Sequence, residues 1–192
     1  MSTTLPVEAL DKKASFISDI KTIRERARKH IEQGAVTPGY GANRATVLQL
    51  LNEALATELV CVLRYRRHYF MAKGAVGEAI KDELLKHSTE EQAHADLIAE
   101  RIVQLGGEPD FNPAELAGRS HAQYIEGTTL ASMVEEDLVA ERVAIESYTE
   151  MIRYIDTGDF TTKRMLEGIL ANEEEHADEL ASLLTTLRGD RA

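Results

Sequence analysis

From position 44 onward, apolar side chains recur every three or four residues through four long stretches, roughly 44–72, 77–106, 128–156 and 160–188. That period is the mark of helices burying one face, and no stretch alternates as a half-buried strand does. The breaks fall at Gly74/Gly77, at Gly106-Gly107 through Gly127, and at Thr157-Gly158-Asp159. Thr128, Thr129 and Asp159 stand where N-caps are expected. A shorter periodic segment, Phe16, Ile20, Ile23, Ala27 and Ile31, precedes a Gly- and Pro-rich linker from Gly34 to Asn43, and residues 1–15 are polar and without pattern. The expected fold class is all-α: an N-terminal extension over 1–43, with an amphipathic helix and linker, followed by a four-helix bundle over 44–190. Short breaks make the first two long helices an antiparallel hairpin, and likewise the last two. The connection from Gly107 to Gly127 is long enough to cross the bundle's length. The stripe on the short N-terminal helix predicts docking on its own bundle or on a neighbouring subunit.

Charged residues interrupt each long stripe at its middle. Leu48, Leu51, Leu55, Val62, Tyr65 and Tyr69 share a face with Glu58; Leu84, Ile98 and Leu105 flank Glu91 and His94; Val134, Ile145, Tyr148 and Ile152 surround Glu141; Met165, Ile169, Leu180 and Leu183 bracket Glu173 and His176. The strings Glu91-Gln-Ala-His94-Ala-Asp96 and Glu173-Glu-Glu-His176-Ala-Asp178 are near copies 82 residues apart, and Glu58 and Glu141 are 83 apart. At 1.5 Å per residue, Glu58 and Glu91 both lie about 21–24 Å from the turn between their helices, and the other hairpin is similarly levelled. Four carboxylates at one height in an apolar core repel one another and are costly to bury unless cations offset them. Residues three apart on a helix share a face, so each Glu-x-x-His can present both ligands to one ion. Four carboxylates match the charge of two divalent ions, and mixed oxygen and imidazole donors suit iron, with manganese as the alternative. Asp137, one turn before Glu141, is placed to accept a hydrogen bond from a ligating histidine.

The formal net charge of −11 argues against a general nucleic-acid surface. A single cysteine, Cys61, leaves no internal disulfide to form, and three residues after Glu58 it reads as a packing residue. The chain shows no apolar run near the roughly 20 residues of a membrane span, and its first 15 residues do not read as a secretory signal, so the cytoplasm is the expected location. His68, His87 and His121 have no partner spacing and read as surface or interhelix residues.

On these residues the chain resembles the ferritin-like superfamily over about 46–187, and its bacterioferritin and Dps-like branch most closely. The resemblance rests on Leu51-Asn52-Glu53 with Glu58-Leu59-Val60 and Tyr65, on Glu91 and His94, on Asp137 with Glu141, and on Glu173 with His176. It implies two iron ions held within one subunit by Glu58, Glu91, His94, Glu141, Glu173 and His176, with Glu91 and Glu173 bridging and Glu58 and Glu141 terminal. It further implies oxidation of Fe(II) by O2 or H2O2 and storage of the ferric product in a protein cage. Tyr65 and Tyr148, each seven residues after a ligand Glu, are candidates for positions beside the centre, Tyr65 as a hydrogen-bond donor or redox neighbour and Tyr148 as a packing residue. Gln92 stands where bacterioferritin carries a haem-ligating Met, which argues against haem. Little chain follows Leu187, which favours a homo-oligomer of twelve subunits, or a dimer, over a shell of twenty-four. Dps proteins proper build their site between subunits with a His/Asp pattern absent here. Manganese catalases and rubrerythrin-type peroxidases are rivals on the same scaffold, although rubrerythrin adds a Glu where this chain has Ala144. A DNA-binding role would rest on Lys21, Arg24, Arg26, Arg28 and Lys29, and the overall charge opposes it.

Overall fold

The computed structural model describes residues 18–189, and these are helical with no strand among them. The chain divides into two units at Gly39/Tyr40. The first holds α1 (Ile20–Ala27), capped by the Asp19 carboxylate, which accepts from the Lys21 and Thr22 amides. The helix expected over 16–31 is thus shorter: it closes at Arg28, and His30 takes a positive φ of 53° before a 3₁₀ turn at Ile31–Gln33. No residue of α1 is buried, and Ile20 and Ile31 are exposed. Phe16 lies outside the described residues.

The second unit holds α2 (Arg44–Met71), α3 (Gly74–Gln104), α4 (Leu116–Arg119), α5 (Leu130–Ile155) and α6 (Phe160–Arg188). Helices α2 and α3 pack as one hairpin and α5 and α6 as the other, and α2 against α5 and α3 against α6 join the two. The crossover carries the short α4, which packs on α2. Thr129 forms a capping box with Ser132, and Asn43 and Asp159 cap α2 and α6 through the amides of Thr46 and Thr162. Only Ala72 and Lys73 separate α2 from α3. That turn requires glycine at position 77, because a Cβ there would lie 2.9 Å from the Ala72 backbone.

Two apolar layers fill the bundle. Leu51, Leu55, Ile98, Ile102, Leu166 and Ile169 are buried toward one end; Tyr65, Leu84, Val134 and Leu180 toward the other. On α5 and α6, Val134, Tyr148, Ile169 and Leu180 are buried as expected, while some other buried positions lie one residue from the expected ones. Met151, Ile155, Leu166 and Leu184 are buried, while Ile152, Met165 and Leu183 are only half-buried. Helix α2 is also apolar enough over its length to cross a bilayer, contrary to the reading from runs alone. Its Glu58, Arg64 and His68 are nevertheless buried against partner helices, as in the central helix of a bundle.

A polar clamp closes one end of the bundle. Asp159 receives the Arg101 guanidinium at 2.9 and 3.0 Å, the Thr162 amide at 2.9 Å and the Tyr40 hydroxyl at 3.0 Å. Next to it the Gly41 amide donates to the Gly158 carbonyl at 3.1 Å, bringing the linker onto the α5–α6 turn. Replacing Asp159 by Ala removes a cap and leaves the buried Arg101 charge without its carboxylate. Asp159→Ala is expected to lower stability by about 3 kcal/mol in denaturant unfolding, whereas a surface change such as Glu167→Ala shifts it by no more than about 0.5 kcal/mol.

Candidate metal centre

All six expected ligand residues converge between the two apolar layers, each at most 5 % exposed. Levelled positions on four antiparallel helices bring them there: Glu58 from α2, Glu91 and His94 from α3, Glu141 from α5, and Glu173 and His176 from α6. The donor atoms form two sets. Nδ1 of His94 lies 3.0 Å from Glu173 Oε1, 3.5 Å from Glu58 Oε2 and 3.6 Å from Glu91 Oε2. Nδ1 of His176 lies 3.4 Å from Glu91 Oε1, 3.6 Å from Glu173 Oε2 and 3.9 Å from Glu141 Oε2. Within each set the donor atoms all lie within 4.8 Å of one another, and Glu91 and Glu173 belong to both. Each of these two carboxylates turns one oxygen toward each histidine.

These atoms fit metal ions better than they fit one another. Glu58 Oε2, Glu91 Oε1, both oxygens of Glu173, Glu141 Oε2 and both Nδ1 atoms are buried without a hydrogen-bond partner. So many orphaned acceptors facing one point are costly in an apolar interior unless a cation, or protons in its stead, occupies the space. Without metal, the protons distribute unevenly. Burial, and then the charge of Glu91, push the Glu58 carboxyl up to about 8, and burial with Glu91 and Glu173 raises Glu141 well above the usual carboxylate range. Burial disfavours charge on the histidines, but the carboxylates outweigh it and lift His94 to about 12 and His176 to about 10. Burial also opposes ionisation of Glu91 and Glu173, yet their contacts with both histidines hold these two carboxyls low. The metal-free centre therefore stores protons on its two histidines and its two outer carboxylates.

The tyrosines cross over. Tyr65 on α2 donates to Glu141 on α5, and Tyr148 on α5 donates to Glu58 on α2. Tyr148 is thus not a plain packing residue; each phenol fixes the outer carboxylate of the opposite hairpin. Asp137 has a different role from the expected one. It accepts from Arg64 Nε at 2.9 Å and pairs with His68 Nδ1 at 2.8 Å, and it touches neither ligand histidine. Arg64 also donates to the Gln123 carbonyl, and His68 contacts the Glu126 carbonyl, so this buried triad pins the crossover to α2 and α5. Of the histidines read as surface or interhelix residues, His68 and His87 are fully buried between helices, and His121 is exposed beside Glu53.

The partner of a ligand histidine is instead Glu90, whose Oε2 lies 2.9 Å from His176 Nε2. That contact joins α3 to α6 from outside the inward stripe, so helix periodicity gave no sign of it. His87 was equally hidden, although it stacks on His176 with ring centroids 4.1 Å apart. Cys61 is buried 3.5 Å from an Arg64 nitrogen. Burial raises its thiol pKa well above the usual range, which keeps it protonated and unreactive.

The profile of the ferritin-like domain family matches residues 48–189. A bacterioferritin from Desulfovibrio desulfuricans is 30 % identical over 135 residues, covering 69 % of this chain and 71 % of its own. A "DNA protection during starvation protein" from Pyrococcus furiosus is 33 % identical over 148 residues, covering 76 % of this chain and 80 % of its own. Among solved structures, a dodecameric thioferritin, the bacterioferritin-related protein from Bacteroides fragilis, is 30 % identical with a TM-score of 0.73, covering 77 % of this chain and 89 % of that one.

Because the metal-free centre holds protons where metal would bind, loading with a divalent ion must expel them. Affinity therefore rises with pH. Co(II) titrations between about pH 6 and about pH 8 are expected to tighten by roughly tenfold per unit for each proton displaced, with proton release measurable in weak buffer. Affinity that is flat with pH, without proton release, would contradict the protonation described.

Proposed function

Because the chain belongs to the ferritin-like domain family, we propose that it is a ferroxidase that takes up Fe(II), oxidises it at a two-metal site within each subunit, and passes the ferric product to storage in a homo-oligomeric shell. The observation that carries this reading is the sharing of Glu91 and Glu173 between two histidine-anchored donor sets. Shared carboxylates hold two ions as neighbours, which lets electrons leave in pairs. Two Fe(II) give one electron each to O2, which with two protons becomes H2O2. With H2O2 as oxidant, the same two electrons and two protons give two waters. Paired transfer avoids one-electron oxygen radicals.

The residues divide the work. Glu58 with His94, and Glu141 with His176, hold the two substrate ions, and Glu91 and Glu173 bridge them. Tyr148 and Tyr65 orient the outer carboxylates, and Glu90 accepts from His176 Nε2–H, leaving Nδ1 free for metal. The apolar layers above and below limit water at the site. Iron is the preferred metal on this reading, and manganese would support peroxide chemistry instead.

A twelve-subunit assembly is supported by likeness to the dodecameric Bacteroides fragilis protein. It also gives the exposed Leu63, Phe70, Val139, Tyr154 and Phe160 a surface to meet. Relatives named for DNA binding or DNA protection raise that role, but a chain of net charge −11 opposes a polyanion. We assign the protein to the cytoplasm, where Fe(II) is available.

Stepwise Fe(II) addition in air, with bound iron per chain and particle size recorded together, tests the proposal. Soluble iron far above two per chain in a particle of many subunits is the expected result; uptake that stops near two would leave an enzyme without storage. Glu91→Ala and His176→Ala are each expected to slow oxidation by about a hundredfold or more, and wild-type rates in both would overturn the site. Tyr65→Phe and Tyr148→Phe keep the bundle and loosen one outer carboxylate each, so losses of about tenfold or less are expected in metal affinity, read by Co(II) titration.

A further inference from the structure

Outside the six ligands, one more group of metal-binding side chains is gathered on the α3–α6 face. Glu83, His87 and Glu179 bring one donor atom each within 4.8 Å of the others. His87 Nε2 lies 2.8 Å from Glu179 Oε2 and 3.2 Å from Glu83 Oε1. The imidazole is fully buried, while the two carboxylates are partly exposed and line a surface groove of about 550 Å³ together with Asp178. We propose that Glu83, His87 and Glu179 form a third site that binds one divalent transition-metal ion beside the His176 half of the centre.

Three observations carry it. The first is the orientation of His87. Its Nδ1 lies 3.2 Å from the Tyr65 hydroxyl, which donates its proton to Glu141. Because the single phenol proton goes to Glu141, the Tyr65 oxygen accepts from His87 Nδ1–H. The Nε2 lone pair then faces two carboxylates, an arrangement of acceptors that calls for a cation.

The second is that packing does not require a histidine here. The internal repeat of 82 residues places Met165, Ile169 and Leu97 at the positions equivalent to Glu83, His87 and Glu179. Ile169 is as buried as His87, so an apolar side chain serves the same place in the other half.

The third is the present occupant. Lys86 Nζ lies 3.2 Å from Glu83 Oε1 and 3.2 Å from Glu179 Oε1, so the site already attracts a cation at its mouth. Lys86 is itself partly exposed and long enough to swing away, which makes it a competitor that sets the affinity. Nitrogen and carboxylate donors suit Fe(II), Mn(II), Co(II) or Zn(II) rather than Ca(II) or Mg(II).

Co(II) is the probe, with bound metal counted by equilibrium dialysis and coordination read from its visible bands. The wild type is expected to bind three ions per chain, and Glu83→Gln/Glu179→Gln two. Lys86→Met is expected to tighten the weakest of the three by roughly fivefold, the competing ion pair being gone. A Glu91→Gln/Glu173→Gln variant of the centre is expected to keep the outer ion while losing the inner pair. Equal stoichiometry and affinity in the wild type and the Glu83/Glu179 variant would overturn the third site. No loss in the Glu91/Glu173 variant, with one ion lost in the Glu83/Glu179 variant, would instead overturn the two-metal centre and leave the outer site standing.

Discussion

Four carboxylates buried at one level of an apolar bundle are the constraint on which the rest of this structure depends. Each alone would cost several kcal/mol in a low-dielectric interior, and together they repel. Without metal, the strain is relieved by protons, with both histidines charged and the outer pair, Glu58 and Glu141, neutral. On the proposed function, metal takes the place of those protons and the same atoms are its ligands. The core is therefore tolerable only in a form that can exchange protons for cations, and the two apolar layers supply the stability that the middle level lacks. Burial of Leu51, Leu55, Ile98 and Leu166 on one side, and of Leu84, Val134 and Leu180 on the other, holds the helices against that repulsion.

The duplicated hairpin explains why the donor atoms meet in pairs. Antiparallel helices with ligands at matched distances from their turns place Glu58 opposite Glu91, and Glu141 opposite Glu173. The half-turn that relates the hairpins then sends each bridging carboxylate toward both histidines. It also accounts for the crossed phenols: Tyr65 and Tyr148 occupy equivalent positions, and each reaches the outer carboxylate of the other half. Mutual restraint of this kind fixes the ligands from the opposite helix, so neither hairpin alone would present them in the same geometry.

Much of this was legible in the chain because helix period and rise are stiff rules. The four long helices, their caps at Thr129 and Asp159, and the level of the six charged residues follow from spacing. What was not legible depends on azimuth and on contacts between helices. Local shifts of one residue, back on α5 and forward on α6, put Met151 rather than Ile152 and Leu184 rather than Leu183 on the buried face. Asp137 lay at a fitting height for a ligand histidine but pointed to Arg64 and His68, since a buried guanidinium one hairpin away claimed it first. Glu90 meets His176, and His87 meets Glu179, across α3 and α6, and no periodicity within one helix reports such a meeting. The N-terminal helix was read too long because its apolar spacing continues past Arg28, while the backbone turns at His30.

The two-fold character of the centre stops at its ligands, and that has a directional consequence. On the His176 side, polar groups continue outward through Glu90 and through Tyr65, His87 and Glu179 to the groove between α3 and α6. On the His94 side, the repeat substitutes Asn172 for Glu90, Ile169 for His87 and Leu97 for Glu179. Charge and hydrogen bonds thus lead away from the His176 donor set more than from the His94 set. Each step along that side offers a hydrogen-bond donor or acceptor in place of water. The buried part of the asymmetry resides in His87, which the bundle does not need for packing, since Ile169 is as buried at the equivalent place in the other half.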